Sequence, residues 1–178
     1  MDKAKIIGSG MVAFKVIGVI PGGKEAPIEE LYNFIHMGAK LIIEDGQEHV
    51  PMLFVLTNKG EIGISDAPTI PKDVFIDLLD AIVKKHEFRA IVAVNEAWVG
   101  GQPVDNVEEY PYASVADDPD RKEGLIVNIL THGRQALMTC AIDRQARTLS
   151  KPEFKWLDQR PGEISGRFVR EKPNPDER

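Results

Sequence analysis

The sequence predicts an α+β fold, in which a mainly antiparallel sheet of about five or six strands carries two helices packed on one face. Three observations indicate this class. Residues 123–131 and 134–143 are two apolar runs separated by only two residues, which is typical of a β-hairpin. Apolar residues recur at helical spacing in 27–45 and again in 71–86. The other apolar runs are short and end at turn-forming residues, as strands do.

Composition limits the classes of protein to consider. The chain has 178 residues, which suits one domain, and a net charge of −6. It contains no run of lysine and arginine, so we expect neither nucleic acid nor an anionic membrane as a partner. Cys140 is the single cysteine and excludes an internal disulfide. We therefore expect a cytoplasmic protein in which Cys140 is a small buried hydrophobic residue.

The N-terminal segment leaves three alternatives open. Residues 6–20 are apolar, but Lys15 and three glycines interrupt them, so the segment is too short and too broken to span a bilayer, and it lacks the pattern of a signal peptide. It is a strand from Met11 to Ile20 that joins the sheet, an arm exchanged between subunits, or a disordered segment. The predicted organisation is an arm or strand at 1–20, one α+β domain at 21–170 and a flexible tail at 171–178.

Two helices follow from local signals. The first is predicted from Pro27 to Asp45, with acidic residues in its first turn and Gly46 just past its end. The second is predicted from Pro71 to His86, with one apolar and one charged face.

The strands are predicted from short apolar runs. Residues 52–57 and 61–65 form a hairpin through the turn at 58–60, and 89–98 form a further strand. In the hairpin of 123–143, the turn His132-Gly133 sets the register, which pairs Thr131 with Arg134, Ile129 with Ala136, Val127 with Met138, Leu125 with Cys140 and Glu123 with Ile142. Phe154 and Trp156 alternate as in a strand, and 166–169 are a last short strand.

The most informative segment for function is the long loop at 99–122. It is rich in proline, glycine and acidic residues, and long loops between strands are commonly functional. We expect this loop to be a contact surface. Tyr110-Pro111-Tyr112 within it is either an exposed contact or packs on the loop itself.

Alternation along the flanking strands places two carboxylates at the ends of the loop. Glu96 shares a face with Val94 and Trp98, and Glu123 shares a face with Leu125. If these faces are core faces, both carboxylates lie at the rim of the core and need a partner. Arg121 is the predicted partner of Glu96 or Glu123, because its planar guanidinium can bind a carboxylate through two hydrogen bonds.

The same residues allow a catalytic hypothesis. Glu96 or Glu123 could act as a general acid or base, and Asp118 and Asp120 are weak candidates for binding a divalent cation. Their spacing matches no established calcium loop, and the histidines lack the spacing of a zinc site. No cofactor motif is present in the sequence, and we expect no cofactor.

The motif residues resemble those of a family of uncharacterised bacterial and phage-borne proteins. The pattern is EAW, then P-x-R-x-E, then an apolar hairpin, and it is carried here by Glu96, Ala97, Trp98, Pro119, Arg121 and Glu123. The resemblance covers about residues 28–170 and implies no particular activity.

Two functions remain as hypotheses. The first is a non-enzymatic interaction or accessory protein, a homo-oligomer through the N-terminal segment or a sheet edge, with the 99–122 loop as its contact surface. The alternative is a hydrolase-like enzyme that uses Glu96 or Glu123 as acid or base, with or without a divalent cation.

Overall fold

A computed structural model of the protein describes residues 6–9, 12–66, 88–101, 111–131 and 134–157. In these residues a nine-stranded sheet curls into a half-barrel, and one α-helix, α1 (Ile28–Glu44), packs on it. Every strand pair is antiparallel. The strands are β1 (Ile6–Ser9), β2 (Val12–Val19), β3 (Met52–Thr57), β4 (Glu61–Asp66), β5 (Phe88–Val99), β6 (Lys122–Thr131), β7 (Arg134–Asp143), β8 (Thr148–Leu149) and β9 (Glu153–Leu157).

The order of strands across the sheet is β1-β2-β4-β3-β5-β6-β7-β8, and β9 also pairs with β7. Strands β8 and β9 therefore share one edge of β7: β8 pairs at Ile142 and Asp143, and β9 pairs along residues 135–139. This order puts β5 and β6 in the interior of the sheet, so the loop between their ends starts and finishes on well-supported strands.

Helix α1 confirms the first helix of the sequence analysis. Pro27 has extended backbone dihedrals at the N-cap, and Glu29 and Glu30 occupy the first turn, where the helix dipole favours acidic side chains. The helix ends before Gly46, whose φ of 78° is a conformation that glycine adopts without strain. Its buried residues recur every fourth position and face the sheet: Leu31, Ile35, Ala39 and Ile43.

The predicted hairpin of β3 and β4 is also confirmed. Its turn has Gly60 at φ 81°, and a Cβ there would lie 2.3 Å from the carbonyl carbon of Gly23. A side chain at position 60 would therefore collide with the segment that precedes α1. Thr57 closes the turn, since its Oγ1 accepts hydrogen bonds from the backbone N–H of Lys59 at 3.2 Å and of Glu61 at 3.0 Å.

The hairpin of β6 and β7 has the predicted register. Thr131 pairs with Arg134, and the pairs continue through Ile129–Ala136 and Val127–Met138 to Leu125–Cys140. The turn residues His132 and Gly133 lie outside the described residues. Strand β5 pairs with β6 over ten positions, from Ala90–Thr131 to Val99–Lys122, so β5, β6 and β7 are continuously paired neighbours in the sheet.

The main core lies between α1 and the face of the sheet that carries Val92, Val94, Val127 and Met138. Tyr32 of α1 stacks on Phe154 of β9, with ring centroids 4.8 Å apart, and extends this core to the sheet edge. The alternate residues of the central strands are equally buried; Leu53 and Ile91 are each 1% exposed. Burial on both faces explains why these strands are almost continuously apolar in sequence.

The predicted fold class was wrong. The described residues contain nine strands instead of five or six, and one α-helix instead of two on one face. The extra strands are short, and segments of two to four residues such as β1 and β8 carry no measurable periodicity. The predicted helix at 71–86 and the predicted strand at 166–169 lie outside the described residues.

The N-terminal segment contributes strand structure. Strand β2 pairs with β4 inside the sheet, and β1 pairs with β2. The described residues 12–19 of this segment are therefore a strand of the sheet in this structure. Exchange of the segment between subunits stays a prediction.

Candidate functional site

The candidate site lies where β5 and β6 reach the rim of the core. Glu96 is directly opposite Leu125, and Trp98 is opposite Glu123. One pair further in, Val94 and Val127 are 1% and 0% exposed. The predicted alternation is therefore confirmed: the side chains of Glu96 and Glu123 share the core face and lie at its edge, with 14% and 25% of their surface exposed.

The guanidinium group that joins these carboxylates belongs to Arg144. Its Nε donates to both carboxylate oxygens of Glu123, at 3.0 and 3.1 Å, and its Nη2 donates to Glu123 Oε1 at 2.6 Å. The same Nη2 donates to Oε2 of Glu96. Arg144 therefore bridges the ends of two neighbouring strands. We call Glu96, Glu123 and Arg144 the carboxylate–arginine cluster.

Arg144 is positioned by the turn that follows β7. Asp143 Oδ1 accepts a hydrogen bond from the N–H of Ala146 at 2.9 Å, and Arg147 has a left-handed φ of 53°. The side chain of Arg144 is then 32% exposed and stays within reach of both acids. Its hydrogen bond to Glu123 is the main cause that raises the pKa of Arg144 above the ordinary value, while partial burial acts in the opposite direction.

The cluster also holds the segment between α1 and β3. Arg144 Nη1 donates to the carbonyl oxygen of Gln47 at 3.0 Å, and Glu96 Oε1 accepts from the N–H of His49 at 2.6 Å. Both carboxylates and the guanidinium are thus used in contacts that join the ends of β5 and β6, the turn after β7 and the segment between α1 and β3. Charge-assisted hydrogen bonds of this type are among the stronger polar contacts in proteins.

His49 is buried beside Glu96, with 5% of its surface exposed. Desolvation by burial lowers the pKa of its imidazole below 6.5, although its hydrogen bond to the carbonyl of Val50 and the charge of Glu96 act to raise it. The folded chain therefore binds a proton at His49 less readily than the unfolded chain does.

The predicted pairing of Arg121 with Glu96 or Glu123 is wrong. The guanidinium of Arg121 lies over the ring of Trp98, with Cζ 4.9 Å from the ring centroid. Its Nη1 donates to the carbonyl oxygens of Ala116 at 2.7 Å and Asp118 at 3.2 Å. The cause is a turn before β6, in which the N–H of Arg121 donates to Asp118 O, so that the side chain folds back over its own loop.

Asp118 fastens the end of this loop to its beginning. It is 2% exposed, its Oδ2 accepts from the N–H of Gly101 at 2.9 Å, and its Oδ1 accepts from the N–H of Asp120 at 2.8 Å. A Cβ on Gly101 would lie 2.5 Å from Cβ of Asp120, so this close approach requires glycine. Both oxygens of the weak metal candidate Asp118 are used by backbone donors, while Asp120 is exposed.

No group of three or more metal-ligating side chains occurs in the part of the chain that the structure describes. The four acids named as candidates are separated in this way: Glu96 and Glu123 meet at Arg144, and Asp118 and Asp120 lie in the loop. Whether any of them acts in catalysis stays a hypothesis.

An exposed aromatic surface lies beside the cluster. Trp98 is 53% exposed, Val99 38% and Tyr112 37%, and Arg121 lies over Trp98. Ser114 caps the short 3-10 helix Val115–Asp117 by accepting from the N–H of Ala116 at 3.0 Å. Val99 points to the face of β5 opposite Trp98, so we call Trp98 and Arg121 the tryptophan surface.

Sequence reasoning missed Arg144, although one signal could have found it. The predicted register places Glu123 opposite Ile142, and Arg144 follows two residues later on the same face. Diagonal neighbours of this kind are within reach of a long side chain. The contacts of Gln47 and His49 use backbone atoms and have no signal in the sequence.

Comparison with known proteins gives a match to a family model. A sequence model of the family described as "Bacteriophage lambda protein ea47" matches residues 14–157. No curated protein sequence and no solved protein structure matches the chain. No helix in the described ranges has the length and apolar character that crossing a membrane requires.

Proposed function

We propose that this chain, which belongs to the bacteriophage lambda protein ea47 family, is a phage-related accessory protein that binds another protein through the tryptophan surface. The proposal describes a non-enzymatic, cytoplasmic protein without a cofactor that forms a homo-oligomer.

The observation that carries the proposal is a large aromatic side chain held exposed in a fixed position. Trp98 is more than half exposed at the end of an interior strand, and Arg121 lies over it. Tryptophan and arginine are among the residues that most often dominate the binding free energy of protein interfaces. Both are present in the tryptophan surface.

The surface is also organised before any partner binds. Arg121 is held by two carbonyl oxygens of its own loop, and Asp118 joins the two ends of that loop through backbone hydrogen bonds. Ordering a mobile loop on binding costs free energy, so a surface that is already ordered binds more tightly for the same contacts.

The geometry of the two glutamates supports a structural role for them. A guanidinium has only hydrogen-bond donors, and both carboxylates accept from Arg144. A general acid has to present a proton to a substrate, whereas these oxygens face donors within the protein. We therefore assign to the cluster the support of the strand ends that carry Trp98.

The test compares partner capture by full-length variants. The wild-type chain, Trp98→Ala, Arg121→Ala and a matched control are used to capture proteins from a lysate of the bacterial host, and the captured proteins are quantified by mass spectrometry. Val50→Ala is the control, since Val50 is an apolar residue that is 61% exposed outside the tryptophan surface. The proposal expects a partner that wild type and Val50→Ala retain and that both other variants lose.

The purified partner is then titrated against the same four proteins, and Trp98→Ala should weaken binding at least tenfold, as expected of a central interface residue. A set of captured proteins that is identical for all four chains would reject the proposal. Light scattering with and without residues 1–20 tests the oligomer separately.

A further inference from the structure

The outward face of α1 carries three large apolar side chains that nothing in the described structure covers. Phe34 is 41% exposed, Met37 66% and Leu41 67%. They lie on the side of the helix opposite the residues that bury against the sheet. Helix α1 is therefore apolar on both faces, a pattern typical of a helix that packs between two layers.

These side chains belong to a longer row along the helix. Glu30, Phe34, Met37, Leu41 and Glu44 follow each other at spacings of four, three, four and three residues. This is the seam spacing of helices that pack side by side. The row spans about 21 Å at 1.5 Å per residue. It has an apolar centre and one acidic residue at each end.

The shape of the row leaves room for a partner helix. Gly38 lies beside Met37, and a Cβ built on Gly38 would have no atom within 4 Å apart from its chain neighbours and the backbone of its own helix. A side chain from a facing helix can enter this space, as in the knobs-into-holes packing of paired helices.

We propose that this row binds an amphipathic helix of another protein, which carries three apolar residues at the same spacing and a lysine or arginine at each end. The acidic residues at the two ends of the row are the reason for proposing a partner with basic ends. Glu30 and Glu44 end the row, and Asp45 follows at once. Lys40 beside the row is paired with Glu44 at 3.6 Å, so Asp45 supplies the acidic charge that this pair leaves uncompensated at the C-terminal end. A basic residue at each end of the partner therefore meets net acidic charge.

A second copy of this chain fits the row poorly. In an antiparallel pair that places Phe34 of one copy opposite Leu41 of the other, Glu30 lies opposite Asp45 and next to Glu44 at both ends. In a parallel pair, each glutamate meets its own equivalent. Both arrangements place like charges together, which is destabilising, and the net charge of −6 adds to the repulsion. The row is separate from the tryptophan surface, so this proposal goes beyond the proposed function and does not depend on it.

The test uses two synthetic helical peptides of about 18 residues, enough to span the row. Both carry leucine at the three central positions, and one has lysine at both ends of its seam while the other has glutamate. Each is titrated by isothermal calorimetry into the full-length protein. The lysine peptide should bind roughly tenfold more tightly, as two exposed charge pairs allow.

Three variants test the site. Met37→Lys should weaken binding of the lysine peptide at least tenfold, as the loss of a central apolar contact does. Val50→Lys should leave binding unchanged, because Val50 is exposed but outside the row. The double variant Glu30→Lys, Glu44→Lys leaves the apolar residues in place and should reverse the preference, so that the glutamate peptide binds more tightly. Circular dichroism confirms that each variant is folded.

The proposal is overturned if neither peptide binds, if both bind equally, or if the double variant keeps the original preference. It is also overturned if light scattering shows a dimer that Met37→Lys dissociates, since a second copy would then occupy the row.

Discussion

Two arginines at the same end of the sheet have opposite roles. Arg144 is enclosed by Glu96 and Glu123 and binds carboxylate oxygens, whereas Arg121 lies over an exposed indole ring and binds carbonyl oxygens of its own loop. Arg121 is only two residues from Glu123, and Arg144 is 21 residues away. The more distant arginine is nevertheless the partner of both acids.

The difference teaches that strand register, more than sequence proximity, decides which charges meet. Arg144 is the first residue after β7, at the start of the turn, and lies two residues beyond the position opposite Glu123, so its side chain reaches both carboxylates. Arg121 lies in a turn that reverses before β6 begins. One region therefore stabilises the fold, and the other presents an aromatic surface. The predictions below test this division of roles.

The largest expected effect comes from removing the guanidinium of the cluster. Arg144→Ala leaves two partly buried carboxylates without a cation, so we expect the free energy of unfolding to fall by about 2 to 3 kcal/mol. This loss is smaller than that at a fully buried ion pair, because the site is partly exposed. Urea titration followed by circular dichroism measures this. Arg121→Ala is the matched control and should cost less than about 1 kcal/mol. Equal losses in the two variants would contradict the division of roles.

The next effect concerns the attachment of the loop ends. Asp118→Ala removes the acceptor of two backbone N–H groups, so we expect a loss of about 1 to 2 kcal/mol in the free energy of unfolding. The same urea titration applies, and Asp117→Ala is the control because Asp117 is exposed on the neighbouring position. If Asp118→Ala is as stable as its control, the carboxylate does not hold the loop.

A smaller effect is expected for the contact between Trp98 and Arg121. The coupling free energy between Trp98→Ala and Arg121→Ala should be about 0.5 to 1 kcal/mol, as for exposed cation–π pairs. A double-mutant cycle in urea provides the value. Coupling indistinguishable from zero would mean that the guanidinium and the ring are held independently.

The smallest effect is a dependence of stability on pH through His49. Burial lowers the pKa of folded His49, so below its ordinary value of 6.5 the unfolded chain binds more protons than the folded one. The free energy of unfolding should therefore decrease as the pH falls from 7.5 to 5.5, a range set roughly around that value. His49→Asn should flatten this dependence. A slope that survives in His49→Asn would show that another group is responsible.

Several parts of the structure could be predicted from local sequence. Helix α1 follows from a proline start, a glycine end and a regular apolar stripe, and the register of β6 and β7 follows from a two-residue turn. The placement of Glu96 and Glu123 on the core face follows from alternation alone. In each of these cases the feature depends on residues that lie close together in sequence, so the local sequence pattern predicts it.

Other parts depended on contacts between distant segments. The sheet has more strands than were predicted, because β1 and β8 are too short to show periodicity and form only by pairing with longer strands. The partner of the two carboxylates was assigned to the wrong arginine because the direction of a turn decides where a long side chain reaches. His49 and Gln47 entered the cluster through backbone atoms, which every residue has.

By itself, the sequence determined the periodic elements and the face on which each of their side chains lies, because helix and strand geometry repeats over a few residues. Only the tertiary structure decided that Arg144 reaches Glu96 as well as Glu123 and that Arg121 covers Trp98. The hairpin register places Arg144 near Glu123, but the direction of the turns and the packing of β5 against β6 decide the other contacts, because they join segments that are remote in sequence.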